Sequence, residues 1–180
     1  MGKYLRLYTG SVTAGETNGT EISEGIDGQT ALVVTLNASK NEHKEVLCAL
    51  RCVQGYKTLG AATIKAQGYI DGSYQDGVGA TNKFKFAKDN GYASPTEIPD
   101  PAWQDVITLD EVDDTNVLFW VRVASDETEE IKNDDTVAIY TSAVVMQKSD
   151  KTPATDTPSS ANAPSPGDNS SQTAKDTPTV

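Results

Sequence analysis

The stretch EVLCALRCV, residues 45–53, decides the fold. In an extended chain successive side chains point to opposite faces. One face then carries Val46, Cys48, Leu50 and Cys52, and the other Leu47, Ala49, Arg51 and Val53. A strand that is apolar on both sides needs cover on both, so it belongs in the middle of a layered β structure. The competing reading is a helix over 39–50, with Ser39 and Glu42 spaced as a capping box. Alternation and β-branching over 46–53 favour the strand and leave a short helical turn around 39–42 as the most that survives of the helix.

Other segments read the same way. ALVVTL (31–36) is a β-branched run between Gly28 and Asn37, and in KFKFA (83–87) Phe84 and Phe86 alternate with Lys83 and Lys85. NVLFWVRVA (116–124) and TVAIYTSAVVM (136–146) are longer apolar runs; segments 4–8, 61–67 and 105–109 complete about eight strands. Clusters of Gly, Asn, Asp and Pro separate them. No 3.6-residue apolar period stands out. Regular strands without helices predict an all-β domain, a two-sheet β-sandwich ahead of a barrel, with jelly-roll and immunoglobulin-like strand orders both open.

The composition changes near Ser149. Residues 149–180 hold five of the eight prolines, no aromatic residue, and only Val180 as an apolar side chain larger than Ala or Pro. Such a segment cannot bury enough surface to offset the entropy of ordering it. The expectation is a folded domain over 1–148 and a disordered Ser/Thr/Pro/Asp-rich tail over 149–180. The chain of 180 residues has a net charge of -11. Asp150, Asp156, Asp168 and Asp176 against Lys151 and Lys175 give the tail -2, which leaves -9 on the body. That acidity argues against nucleic acid as a partner, because a phosphate backbone needs a basic footprint. No run approaches the ~18 apolar residues of a membrane span, so no membrane partner is expected. The start MGKYLRLYTG lacks the apolar core of a signal peptide.

Reactive chemistry is hard to assemble from these residues. Cys48 and Cys52 lie four apart in one strand, about 13 Å at the usual rise. That is too far for a disulfide, so they read as reduced, packed core residues. His43, the single histidine, falls in the polar stretch SKNEHKE and reads as an exposed loop residue without the positioned partner that a general base needs. No serine elbow, HExxH or phosphate-loop pattern occurs. Gly77 and Gly79 lack the strand–helix unit of a dinucleotide site. The acidic clusters at 110–114, 126–130 and 133–135 read as solvated turns, and Asp71–Gly77 only echoes a calcium loop. The expectation is therefore no catalytic, cofactor or metal site, no cofactor, and no enzyme activity.

Aromatic residues supply the candidate contact site. Trp103 follows a Pro-rich stretch, and Tyr69, Tyr74 and Tyr92 lie in Gly-rich turns. Tyr and Trp on loops offer large contact area at low entropic cost. These four residues are the candidates for contact with a ligand or partner, while Trp120 in NVLFWVRV reads as packing.

Five stretches carry a resemblance: LRLYTGS (5–11), NGTEIS (18–23), VVTLNAS (33–39), CALRC followed by GYKT (48–58), and NVLFWVRVAS (116–125). Together they resemble a group of small β-rich proteins from the structural-gene regions of tailed bacteriophages and prophages. The resemblance runs along most of 1–148 and brings no catalytic signature. It implies a non-enzymatic virion structural protein, a capsid decoration, neck, tail or baseplate component, assembled in the host cytoplasm and found in the virion. Its partners would be other virion proteins and, through edge strands, further copies of itself as a homo-oligomer. The alternative is a carbohydrate-binding or host-surface adhesion module that meets a host-surface glycan through Trp103 and the loop tyrosines.

Overall fold

The computed structural model describes residues 4–22, 32–37, 40–126 and 137–149. All described strands fall within the compact unit Met1–Lys148. The tail expected over 149–180 lies outside the described residues except for Ser149, as do Ser39 and, Asp126 apart, the acidic clusters 126–130 and 133–135.

Among the described residues strands account for 48% and no helix reaches seven residues. Eleven strands occur among the described residues: β1 (Leu5–Thr9), β2 (Thr20–Ile22), β3 (His43–Cys52), β4 (Tyr56–Thr58), β5 (Ala62–Ile70), β6 (Ser73–Gln75), β7 (Phe84–Lys88), β8 (Val106–Leu109), β9 (Val117–Ala124), β10 (Val137–Ser142) and β11 (Val145–Gln147). Every pairing between them is antiparallel. A five-stranded sheet runs β2-β1-β3-β9-β7. In a second sheet β5 pairs with β10 along one edge and with both β6 and β8, and β4 and β11 form a two-stranded ribbon.

β3 sits between β1 and β9, the central place its two apolar faces required. Cys48, Leu50 and Cys52 project into the main core with Leu5 and Leu7 of β1, Phe119, Val121 and Val123 of β9, and Phe86 of β7. Ala62 and Ile64 of β5, Ile107 and Leu109 of β8, and Val112 belong to the same core. On the opposite side of β3, Leu47 packs into a smaller cluster with Ala87, Ile98, Trp103 and Trp120. Full burial of one large side chain contributes about 1.5–3 kcal/mol. The central strand is therefore held from both faces.

Three expectations need correction. The strand expected over 31–36 is not formed at 32–36: among the described residues these pair with no strand, although they alternate as a strand would. Leu32, Val34 and Leu36 pack against the core while Val33 is largely exposed. Alternation reports which side is buried, and a segment can lie on a core without a backbone partner. The run 136–146 is two strands, not one: β10 pairs with β5, and after Ala143 and Val144 the chain turns to pair with β4 as β11. The short strands β2, β4 and β6 come in addition to the expected set, because each carries too few apolar residues to show a period.

The β5–β6 hairpin has a local cause. Asp71 (φ 53) and Gly72 (φ 81) both lie at positive φ, as a two-residue type I′ turn requires. Gly68, just before the turn, meets the loop after β6, where a Cβ would lie 2.3 Å from the Val78 carbonyl oxygen. Only glycine fits there without moving backbone. At the earlier bend, Lys40 sits in a 3-10 turn and donates its N–H to Asn37 O at 3.1 Å.

Candidate functional site

The four aromatic candidates fall into two groups. Trp103 and Tyr92 lie in the segment 89–104, which covers the outer face of the five-stranded sheet. Two short 3-10 turns, Pro95–Glu97 and Asp100–Ala102, shape this segment. It is tied to the sheet edge where Phe86 N–H donates to Gln104 O at 2.8 Å and Gln104 N–H donates to Phe86 O at 2.9 Å. Asp89 accepts from Tyr92 N–H and from Trp120 Nε1. Trp103 is only 9% exposed. The Arg122 guanidinium stands 4.0 Å from its ring centroid, a cation–π contact. Arg122 Nε also donates to Glu45 Oε1 at 2.8 Å, and His43 Nε2 lies 3.3 Å from the same oxygen. Trp103 is thus the lid residue of a small secondary core. It presents almost no surface to a ligand, and among the described residues its Nε1 has no hydrogen-bond partner.

Tyr69 and Tyr74 form the second group. They face each other across the β5–β6 hairpin, with ring centroids 5.0 Å apart. Both are about half exposed, at 46% and 50%. The same face of β5 carries Lys65 and Gln67, and both donate to the Asp76 carboxylate. Those two donors hold Asp76 below the usual carboxylate range, the Lys65 hydrogen bond first. Across the ladder Tyr140 of β10 pairs with Lys65, whose ammonium lies 5.5 Å from the Tyr140 ring. Val106 of β8 flanks Lys65 on the other side. The sequence reading did not single out Tyr140. Its place in an apolar run hid that alternation turns it outward while Ile139 and Thr141 turn inward.

The other residues weighed for chemistry have structural neighbours. Cys48 and Cys52 are free and buried. Burial pushes the Cys48 thiol up to about 12 and the Cys52 thiol up to about 11. A thiol held that high is a poor nucleophile near neutral pH. His43 is the first residue of β3 rather than a loop residue, and its side chain is exposed. In the acidic run 110–114, Asp113 accepts from Thr115 N–H and Oγ1, Asp114 accepts from Gly55 N–H, and both accept from Lys148. These donors lower both carboxyls, Thr115 foremost for Asp113 and Lys148 foremost for Asp114. The carboxylates tie the end of the body to the turn after β3. Among the described residues no three His, Cys, Asp or Glu side chains converge as a metal set. None of the helices among them is long and apolar enough to cross a membrane.

The arrangement offers surface contact, by an exposed tyrosine face on one sheet and by apolar side chains elsewhere. No protein-family model matches the chain, and no curated protein matches it.

Proposed function

We propose that this chain is a non-enzymatic structural protein of a tailed-phage virion, assembled in the host cytoplasm and working through protein–protein contacts. On this reading the body is a two-layer β-sandwich, with the five-stranded sheet and the β5 sheet facing each other across the shared core. The resemblance of the five stretches to phage structural-region proteins supports the biological setting. The acidic surface fits a partner that is protein rather than nucleic acid.

The observation that carries the reading is an exposed apolar patch where the β4–β11 ribbon joins β5 and β10. The inward residues of this ribbon, Thr58 and Val145, reach the core. Its outward residues are Lys57, Leu59, Val144 and Met146. Leu59 and Val144 are 66% and 65% exposed and are joined by a Leu59 N–H to Val144 O bond at 2.7 Å. Clustered exposed aliphatic side chains on a rigid ribbon are what a subunit presents when assembly will bury them. Mass spectrometry of purified particles from the phage or prophage that encodes the chain tests this. Many copies per particle are expected. Absence of the chain from intact particles overturns the reading.

A further inference from the structure

We propose that the open face of the β5 sheet is a binding platform for a neutral oligosaccharide. Alternation along β5 turns Ala62, Ile64 and Ala66 to the core and Thr63, Lys65, Gln67 and Tyr69 outward. The register places Tyr140 beside Lys65 and Tyr74 beside Tyr69. All three tyrosines are exposed, Tyr140 at 39%. From the Lys65 row to the Tyr69 row is four residues, about 13 Å at the usual rise. A ligand touching both ends must therefore be a chain of sugars rather than a single ring.

The chemistry of the face selects this class of ligand. A pyranose ring has an apolar C–H face and a rim of hydroxyls. Tyrosine offers an apolar ring for the first and a hydroxyl for the second. Gln67 adds an amide between the two tyrosine groups. The strands hold these side chains on a rigid frame, so little order has to be imposed on binding. The charges on the face cancel, because Lys65 and Asp76 form an ion pair. On a chain of net charge -11 an electrically neutral face suits a neutral glycan and offers nothing to an acidic one. A protein partner would need a drier centre, whereas the one aliphatic side chain the register places in the Lys65 row is Val106. The inference does not rest on the virion reading, since Leu59 and Val144 lie in the links beyond β5 and β10 and are not among the side chains of this face.

The test is an array of neutral and acidic oligosaccharides, from disaccharides upward, probed with the full chain. Solution titration then follows on the best neutral binder. Neutral oligomers longer than a disaccharide are expected to bind. Tyr69→Ala and Tyr140→Ala should each weaken binding about tenfold, the scale of one lost aromatic contact. Both should keep the parent's far-ultraviolet circular dichroism, and Leu59→Ser should bind as the parent does. Absence of any neutral binder overturns the proposal, and so does binding that both tyrosine variants retain. Binding confined to acidic glycans and abolished by salt overturns it too. If instead Tyr140→Ala dissociates a dimer in sedimentation and no glycan binds, the face is a contact between copies.

Discussion

Arg51 donates through Nη1 to the Asn116 side-chain oxygen at 2.8 Å, and this pair organises the loop between β1 and β2. The Arg51 guanidinium also lies 3.5 Å from the Tyr8 ring centroid and donates to Asn18 O. The Asn116 amide nitrogen donates to Thr13 O, Asn18 O and Asn18 Oδ1. Its backbone completes the knot, donating to Glu16 O and accepting from Gly15 N–H. Asn116 is buried at 3% exposure. Truncating it removes the one buried member of this network and leaves Arg51, Thr13 and Asn18 without the partner that holds the loop.

Asn116→Ala is therefore expected to cost about 2–3 kcal/mol in urea unfolding. Asn116→Asp keeps an acceptor for Arg51 but turns a carboxylate oxygen toward Thr13 O, Asn18 O and Asn18 Oδ1, so its midpoint should also fall clearly below the parent's. A parent-like midpoint for Asn116→Ala would show that the loop is held by other contacts.

Two buried threonines should respond in opposite directions to the same change. Thr58 Oγ1 donates to Gly60 O at 2.6 Å and accepts from Val112 N–H at 3.0 Å. Thr58→Val leaves both groups unpaired and should destabilise by about 1–3 kcal/mol. Thr141 faces the core with Oγ1 buried and without a hydrogen-bond partner among the described residues. Thr141→Val keeps the shape, removes that burden and should stabilise by up to about 1 kcal/mol. Thermal midpoints of the two variants check the pair; a fall for both would show that the Thr141 hydroxyl has a partner in solution.

The clamp at Lys148 gives an acid dependence. Asp113 and Asp114 titrate below the usual carboxylate range in the folded chain. The stabilisation they supply is present above the unfolded carboxyl value and is lost as pH falls through their lowered folded values. Lys148 is raised, chiefly by its hydrogen bond to Asp114. Its share is complete below the unfolded lysine value and is lost as pH rises through the folded one. These groups are partly exposed, so solvent screening keeps the total under about 1 kcal/mol. Lys148→Met should flatten the acid limb of stability against pH below about 4. An unchanged limb would assign the acid sensitivity to other carboxylates.

Cys48 and Cys52 should be silent in the native chain. With both thiols buried and pushed up, a thiol reagent near pH 8 should label neither until the sheet opens. Denaturant should reveal both as free thiols. Rapid labelling without denaturant would contradict the position of β3 at the centre of the core.

Several features of the fold were legible because one physical pattern determined each. EVLCALRCV reads as a central strand from its two apolar faces, and KFKFA as a strand from its alternation, although Ala87 on the lysine side is fully buried in the second cluster and Lys83 ends a 3-10 turn. The hairpin between β5 and β6 was also written in the sequence, since Asp71-Gly72 is the usual two-residue turn, but its likeness to a calcium loop drew the reading elsewhere. Residues 32–37 misled because burial and backbone pairing are separate matters. The candidate contact residues divided on the same ground. Trp103 sits among prolines and looks like a loop tip, yet Arg122 and Trp120, far along the chain, give it a pocket to fill. Only tertiary pairing could reveal that. Tyr140 became visible once the β10–β5 register was known.

The most direct test of the account is a density map of the intact particle at side-chain detail. The account predicts this body in many copies, with Leu59, Val144 and Met146 buried against a neighbouring subunit. Particles without the chain, or a map in which that patch faces solvent in every copy, would contradict it.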